Sequence, residues 1–274
     1  MTLSYLPAGR RGFVPRPCGF GARLLGLDPA AVRTDPAGGI LATRQERDLL
    51  RGDLTLVGGD GTLLPEALGC ALAQTAQGSW RVAGAADVDP DEWDLLELGA
   101  ADDHPALAAA LQVVAALARE GAVGVLLTGP LTLAEHVAGH ERRAAAGEDE
   151  DLVDACGLVV CDAAKLILEA GGHVVLEERR APTADELGLC SPLLNLLVHH
   201  RRPALALVHA DGAGAFADGH AAIGAAVSGA AVPEWGAPWN APAEATVLAP
   251  RIAAAASPER VQELVRALPG AAAA

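Results

Sequence analysis

Val123-Gly124-Val125-Leu126-Leu127-Thr128-Gly129-Pro130-Leu131-Thr132-Leu133-Ala134 is the stretch on which the fold turns. Its opening residues are apolar or glycine with no polar interruption, as a strand buried on both faces requires. Thr128-Gly129-Pro130 breaks the run, and a proline suits the first position of a following helix. A strand that runs straight into a helix is one βα unit. Short Val/Leu/Ala runs bounded by Gly, Asp or Pro recur at 54–60, 81–88, 173–178, 204–212, 220–229 and 246–250, and 13–20 is a further candidate strand. Segments with helical spacing separate several of them. These are 63–77, with Pro65 in its first turn; 103–119, opened by His104-Pro105 and stopped by Gly121; 151–169, ended by Gly171-Gly172; and 257–268, with Ser257 as N-cap and Pro258 behind it. Strands alternating with helices predict a mainly parallel sheet in a single α/β domain over residues 1–274.

Composition narrows the function. Hydrophobic residues make up 51% of the 274-residue chain but aromatics only 3%, so the core has to be built from Ala, Leu and Val. The formal charge of -15 and pI near 4.8 repel a phosphate backbone and an anionic membrane surface alike, which excludes nucleic acid and membranes as expected partners. No basic stretch with an apolar core opens the sequence, and charge interrupts every apolar run before about 18 residues. A cytoplasmic location is therefore expected. The five cysteines are scattered, none in a Cys-x-x-Cys pair, and Cys156 and Cys161 fall on different faces of one helix, so buried reduced thiols are expected. The charged stretch 140–150 reads as a solvated loop, and 271–274 as a frayed end.

In a parallel α/β fold ligands gather at the carboxyl ends of the strands. The polar residues there are few: Gly58-Gly59-Asp60-Gly61-Thr62, Thr128-Gly129-Pro130, Glu177-Glu178-Arg179 and His209-Ala210-Asp211-Gly212.

Several of these segments, in this order, resemble the uroporphyrinogen decarboxylase and corrinoid methyltransferase superfamily. Gly59-Asp60 followed by Leu64-Pro65-Glu66-Ala67-Leu68-Gly69-Cys70 is similar to the strand-end Asp and Ala-Leu-Gly helix of that superfamily. Thr128-Gly129-Pro130-Leu131-Thr132-Leu133 resembles its Gly-Pro-aromatic-Thr-Leu element, and His209-x-x-Gly212 the His-x-Cys-Gly strand end of the methyltransferase branch. The likeness runs from Asp53 to Leu268. It implies a (β/α)8-type TIM barrel, trimmed because the chain is shorter than that family usually is. It also implies a small carboxylated substrate, with Asp60 as the group that stabilises charge in a cofactor-free decarboxylation, and with His136 and His209 as further catalytic side chains. Arg10, Arg11, Arg16, Thr128, Glu177 and Asp211 would contact the substrate, the arginines as carboxylate forks. Self-association as a homodimer stays open.

Two departures bear on the reaction. The methyltransferases hold zinc with His-x-Cys and a distant Cys, whereas this chain has Asp211 at the second position and no sulfur near Arg251 and Ile252. His209 and Asp211 alone do not close a metal shell, so no metal cofactor is expected and decarboxylation is preferred to zinc-dependent methyl transfer. The superfamily's N-terminal arginine pattern is also missing, although Arg10, Arg11, Arg16 and Arg23 cluster near its place. Two other readings remain. Gly58-Gly59-Asp60-Gly61-Thr62 matches the phosphate-turn signature of NAD and lipid kinases. A non-catalytic barrel that binds a ligand or partner, with Trp235 and Trp239 on an apolar surface, is the third class.

Overall fold

Residues 4–6, 12–76, 78–139, 150–180, 182–208, 223–228, 247–249 and 251–267 are described by the structure, a computed structural model. Two short strands, β1 (Gly12–Phe13) and β2 (Arg16–Cys18), open the described core. Helices α1 (Phe20–Leu24), α2 (Pro29–Val32) and α3 (Pro36–Leu50) follow. In α3 the Asp35 carboxylate accepts hydrogen bonds from Ala37 N and Gly38 N, and Pro36 takes the first helical position.

After β3 (Thr55–Val57) and the short helix α4 (Leu63–Ala67), an antiparallel hairpin of β4 (Leu72–Gln74) and β5 (Trp80–Val82) leaves the sheet. This corrects two expectations. The helix predicted over 63–77 stops at Ala67, where Gly69 adopts φ +83°, and the run at 81–88 lies largely outside any strand. The hairpin is half-exposed on both faces, so no alternation of polar and apolar residues marks it. Beyond it come α5 (Pro105–Leu117), β6 (Val123–Thr128), α6 (Pro130–Ala138), α7 (Glu150–Glu169), β7 (His173–Glu178), α8 (Ala184–Leu189), α9 (Ser191–His199), β8 (Ala204–Val208), β9 (Ile223–Ser228), β10 (Val247–Leu248), β11 (Arg251–Ala253) and α10 (Pro258–Ala267).

Five strands form one parallel sheet in the order β3-β6-β7-β8-β9. Two parallel ladders, β1 with β10 and β2 with β11, stand beside it. Asp53 N donates to Phe13 O at 2.7 Å, and Phe13 N to the Asp53 carboxylate at 2.8 Å, which ties β1 to the start of β3. Val14, Leu56, Leu126, Val175, Leu207 and Val247 share one apolar cluster, so the inner face of the sheet packs onto the two ladders. Helices α4 to α9 cover the outer face. The α/β class with a parallel sheet is as expected. Among the described residues no ladder joins the five-stranded sheet to the other two, so no closed eight-stranded ring is seen there.

Candidate functional site

The turn after β3 is shaped by its glycines. Gly58 and Gly61 take φ +67° and +72°, in the left-handed region that L side chains avoid. A Cβ on Gly59 would stand 2.3 Å from Pro17 O, so β2 can approach only a glycine here. Backbone geometry and packing thus account for the Gly-Gly-Asp-Gly-Thr signature without a bound phosphate. Asp60 does not cap α4. Its Oδ1 accepts from Thr62 N at 3.2 Å and Thr62 Oγ1 at 2.9 Å, and its Oδ2 faces Arg33 Nη1 at 3.4 Å. Arg33 also donates to Thr62 Oγ1 and, through Nε and Nη2, to Glu66.

At the ends of β6 and β7, Thr128 and Glu177 are register partners and therefore share the inner face. Thr128 Oγ1 donates to Gly61 O. Glu177 Oε2 receives Arg16 Nη2 at 2.6 Å, and Arg251 Nη2 lies 3.6 Å from Oε1. Arg16 is 0% exposed, and its Nε and Nη1 meet no acceptor among the described residues. The next residue, Glu178, points to the other face. It accepts from Leu131 N at 3.1 Å, Thr132 N at 2.9 Å and Thr132 Oγ1 at 2.6 Å, which caps the first turn of α6. Burial pushes its pKa up to about 7, against the pull of those hydrogen bonds. Gly129 lies so near that a Cβ there would meet Glu178 Oε1 at 2.2 Å.

These strand ends border a cavity of about 700 Å³. Asp60, Thr128, His136 and Glu177 all line it, so four of the residues singled out in the sequence are brought together. Arg16 is not on the wall; it sits behind Glu177 and holds it. Arg10, Arg11, His209 and Asp211 lie outside the described residues, as do Trp235 and Trp239. His136 Nε2 is 3.4 Å from Arg179 Nη2, and because a guanidinium only donates, the ring nitrogen is the acceptor. Arg179 also pairs with Glu135.

Sequence reasoning missed Trp80 and Arg81, which the hairpin carries to the cavity, and Arg33 and Arg251, and it named Arg179 at a strand end without giving it a role. The strand-end position of Arg179 and Arg251 was a usable signal; Arg33 follows α2 with no pattern that marks it. The guanidinium of Arg81 has no ion-pair partner among the described residues.

A zinc centre can be tested against these donors. Burial raises the pKa of all five thiols, and none of the five lines the 700 Å³ cavity. Among the described residues no group of three His, Cys, Asp or Glu side chains is arranged to hold a metal ion. The donor set there does not fit a thiolate zinc site.

The fold and the cavity together define an α/β protein with a polar pocket at the carboxyl ends of its parallel strands. Among solved structures the chain is similar to a methyltransferase from Methanosarcina mazei, with a TM-score of 0.68 and 14% identity, over 95% of this chain and 94% of that one. No family model matches the sequence, and no curated protein does. None of the helices described is long and apolar enough to cross a membrane.

Proposed function

We propose that this chain is a barrel-type enzyme of the uroporphyrinogen decarboxylase and corrinoid methyltransferase superfamily, and that it transfers a methyl group from a methylcorrinoid substrate to the thiol sulfur of a small carboxylated acceptor held in the 700 Å³ cavity. The cobalt–carbon bond breaks as the sulfur–carbon bond forms, the corrinoid leaves in its Co(I) form and the thiol proton passes to solvent. The observation that carries the reading is the concentration of arginine there. In a protein of net charge -15, Arg81, Arg179 and Arg251 line the wall and Arg16 and Arg33 stand behind it, facing Asp60, Glu66, Glu135 and Glu177. Five cations against four carboxylates leave a local excess that favours an anionic ligand, and arginine forks suit a carboxylate. The fold likeness to a methyltransferase supports the reaction type.

The residues divide the work as follows. Arg81 and Arg251 grip the acceptor carboxylate. Arg179, turned toward Glu135, donates to His136 Nε2 and so orients that ring on the cavity wall. Thr128 and Glu177 fix the inner wall.

Cofactor-free decarboxylation is the second reading, favoured by the presence of Asp60 on the cavity wall. It ranks lower because both Asp60 oxygens are engaged by Thr62 and Arg33. The test is to incubate the protein with methylcobalamin and 3-mercaptopropanoate and follow loss of the methylcobalamin absorbance, with decarboxylation of uroporphyrinogen measured in parallel. Methyl transfer that falls by about tenfold or more in Arg81→Gln supports the proposal. Decarboxylation without methyl transfer would replace it by the second reading, and neither reaction would leave a binding protein.

A further inference from the structure

Asp60 and Trp80 line a second cavity as well as the large one, so these two side chains stand between the two spaces. The second measures about 120 Å³ and lies between β2, β3, α3 and α5. Its apolar wall includes Val32, Gly39, Ala42, Ala106, Ala110 and Val113. The room exists because these residues are small. A Cβ on Gly39, for instance, would come within 2.8 Å of Val113 Cγ2. Charge inside is matched: Arg33 faces Asp60, and Glu46 accepts Gly21 N at 2.6 Å. Burial pushes the Glu46 carboxyl up to about 8, so it is mainly a neutral acid at pH 7.

At the junction the Trp80 indole stands with Arg33 Cζ 5.8 Å from its ring centroid. Trp80 Nε1 is buried and has no acceptor among the described residues. A buried donor without a partner is costly, and a ligand passing this point can supply the missing oxygen. An apolar cavity of about 150 Å³ stays dry and takes benzene, which sets the scale for the occupant.

The geometry points to an apolar annex: the small cavity receives one aromatic ring or branched aliphatic group of a ligand whose carboxylate remains with the arginines of the large one. The assignment deepens the proposed function and rests on its reading of the large cavity as a carboxylate site. The substrate class is then an amphiphilic acid rather than a purely polar one.

Calorimetric titration of the wild-type protein with butanoate and 4-phenylbutanoate tests this. Burying the phenyl group is expected to tighten Kd by about tenfold or more. Ala110→Leu, which fills the annex, should cut that gain below about threefold and leave the Kd of butanoate unchanged. Ala106→Val is the gentler variant if the first does not fold. Benzene alone, followed by ligand-observed NMR, should bind the wild type and be excluded by the filled variant. An equal phenyl gain in wild-type and filled proteins, or benzene binding that the filling does not alter, overturns the annex. Arg81→Gln separates the two ideas. If it leaves butanoate binding unchanged while benzene is still excluded by Ala110→Leu, the carboxylate reading fails and the annex stands. If it abolishes butanoate binding while the phenyl gain survives filling, the annex alone fails.

Discussion

Glu177 and Glu178 are neighbours in one strand and share a chemistry, yet the two faces of the rim use them in opposite ways. On the inner face Glu177 is held by two guanidinium groups, one fully buried and one at 43% exposure, and forms part of the cavity wall. On the outer face Glu178 is held by two backbone N–H groups and a hydroxyl, and fixes α6 to the sheet. The difference teaches that period-two alternation separates a candidate ligand-facing charge from a structural one within a single peptide unit.

The largest effect should come from Glu177→Ala. It strips the carboxylate partner from the buried Arg16, and an uncompensated buried charge costs about 3–5 kcal/mol, read as a shift in the urea midpoint. Glu178→Ala comes next, at about 2–3 kcal/mol, since three donors at the start of α6 lose their acceptor. A larger loss for Glu178→Ala than for Glu177→Ala would break the contrast drawn above.

The third test uses pH. Glu178 and Glu46 have folded pKa values raised to about 7 and about 8 from an ordinary 4.5, so the folded state keeps protons that the unfolded chain releases. Their stabilising contribution is complete below the unfolded value and is lost as pH rises through 7 and 8. Stability to urea should therefore fall between pH 5 and 8, and Glu46→Gln, which keeps an oxygen for Gly21 N, should flatten the upper part of that fall. A steeper fall in the variant would contradict the assignment. The smallest effect belongs to Arg251→Ala, which loses a 3.6 Å pair at a half-exposed site and should cost under about 1 kcal/mol, with any larger change confined to binding of a carboxylate.

The sequence made the βα order readable because β6, β7 and β8 each carry an apolar run, closed by Thr128 in β6 and by Glu177 in β7, and β7 falls on 173–178 as expected. Helix α3 escaped the same reading. Its buried stripe is Gly38, Gly39, Ala42, Thr43, Glu46 and Leu50, small or polar almost throughout, so no hydrophobic period betrays it. Only Asp35-Pro36 signalled its start. At the site, Asp60, Thr128 and Glu177 were legible because each ends an apolar run. Trp80 and Arg81 were not, because the hairpin that delivers them is neither alternating nor part of the parallel sheet. Arg33 reaches Asp60 through a fold of the chain that no local pattern encodes.

The pairing of Gly12 with Val247 and of Arg16 with Arg251 bears on how the molecule comes together. In synthesis β1 and β2 are made before the five-stranded sheet, and their ladder mates β10 and β11 only after its last strand, β9. Until then Arg16 can reach Glu177 but the inner layer has no lid of main-chain partners, and closing so long a loop is slow. Assembly should finish late, with the five-stranded sheet standing first and the two ladders sealing it as a final step.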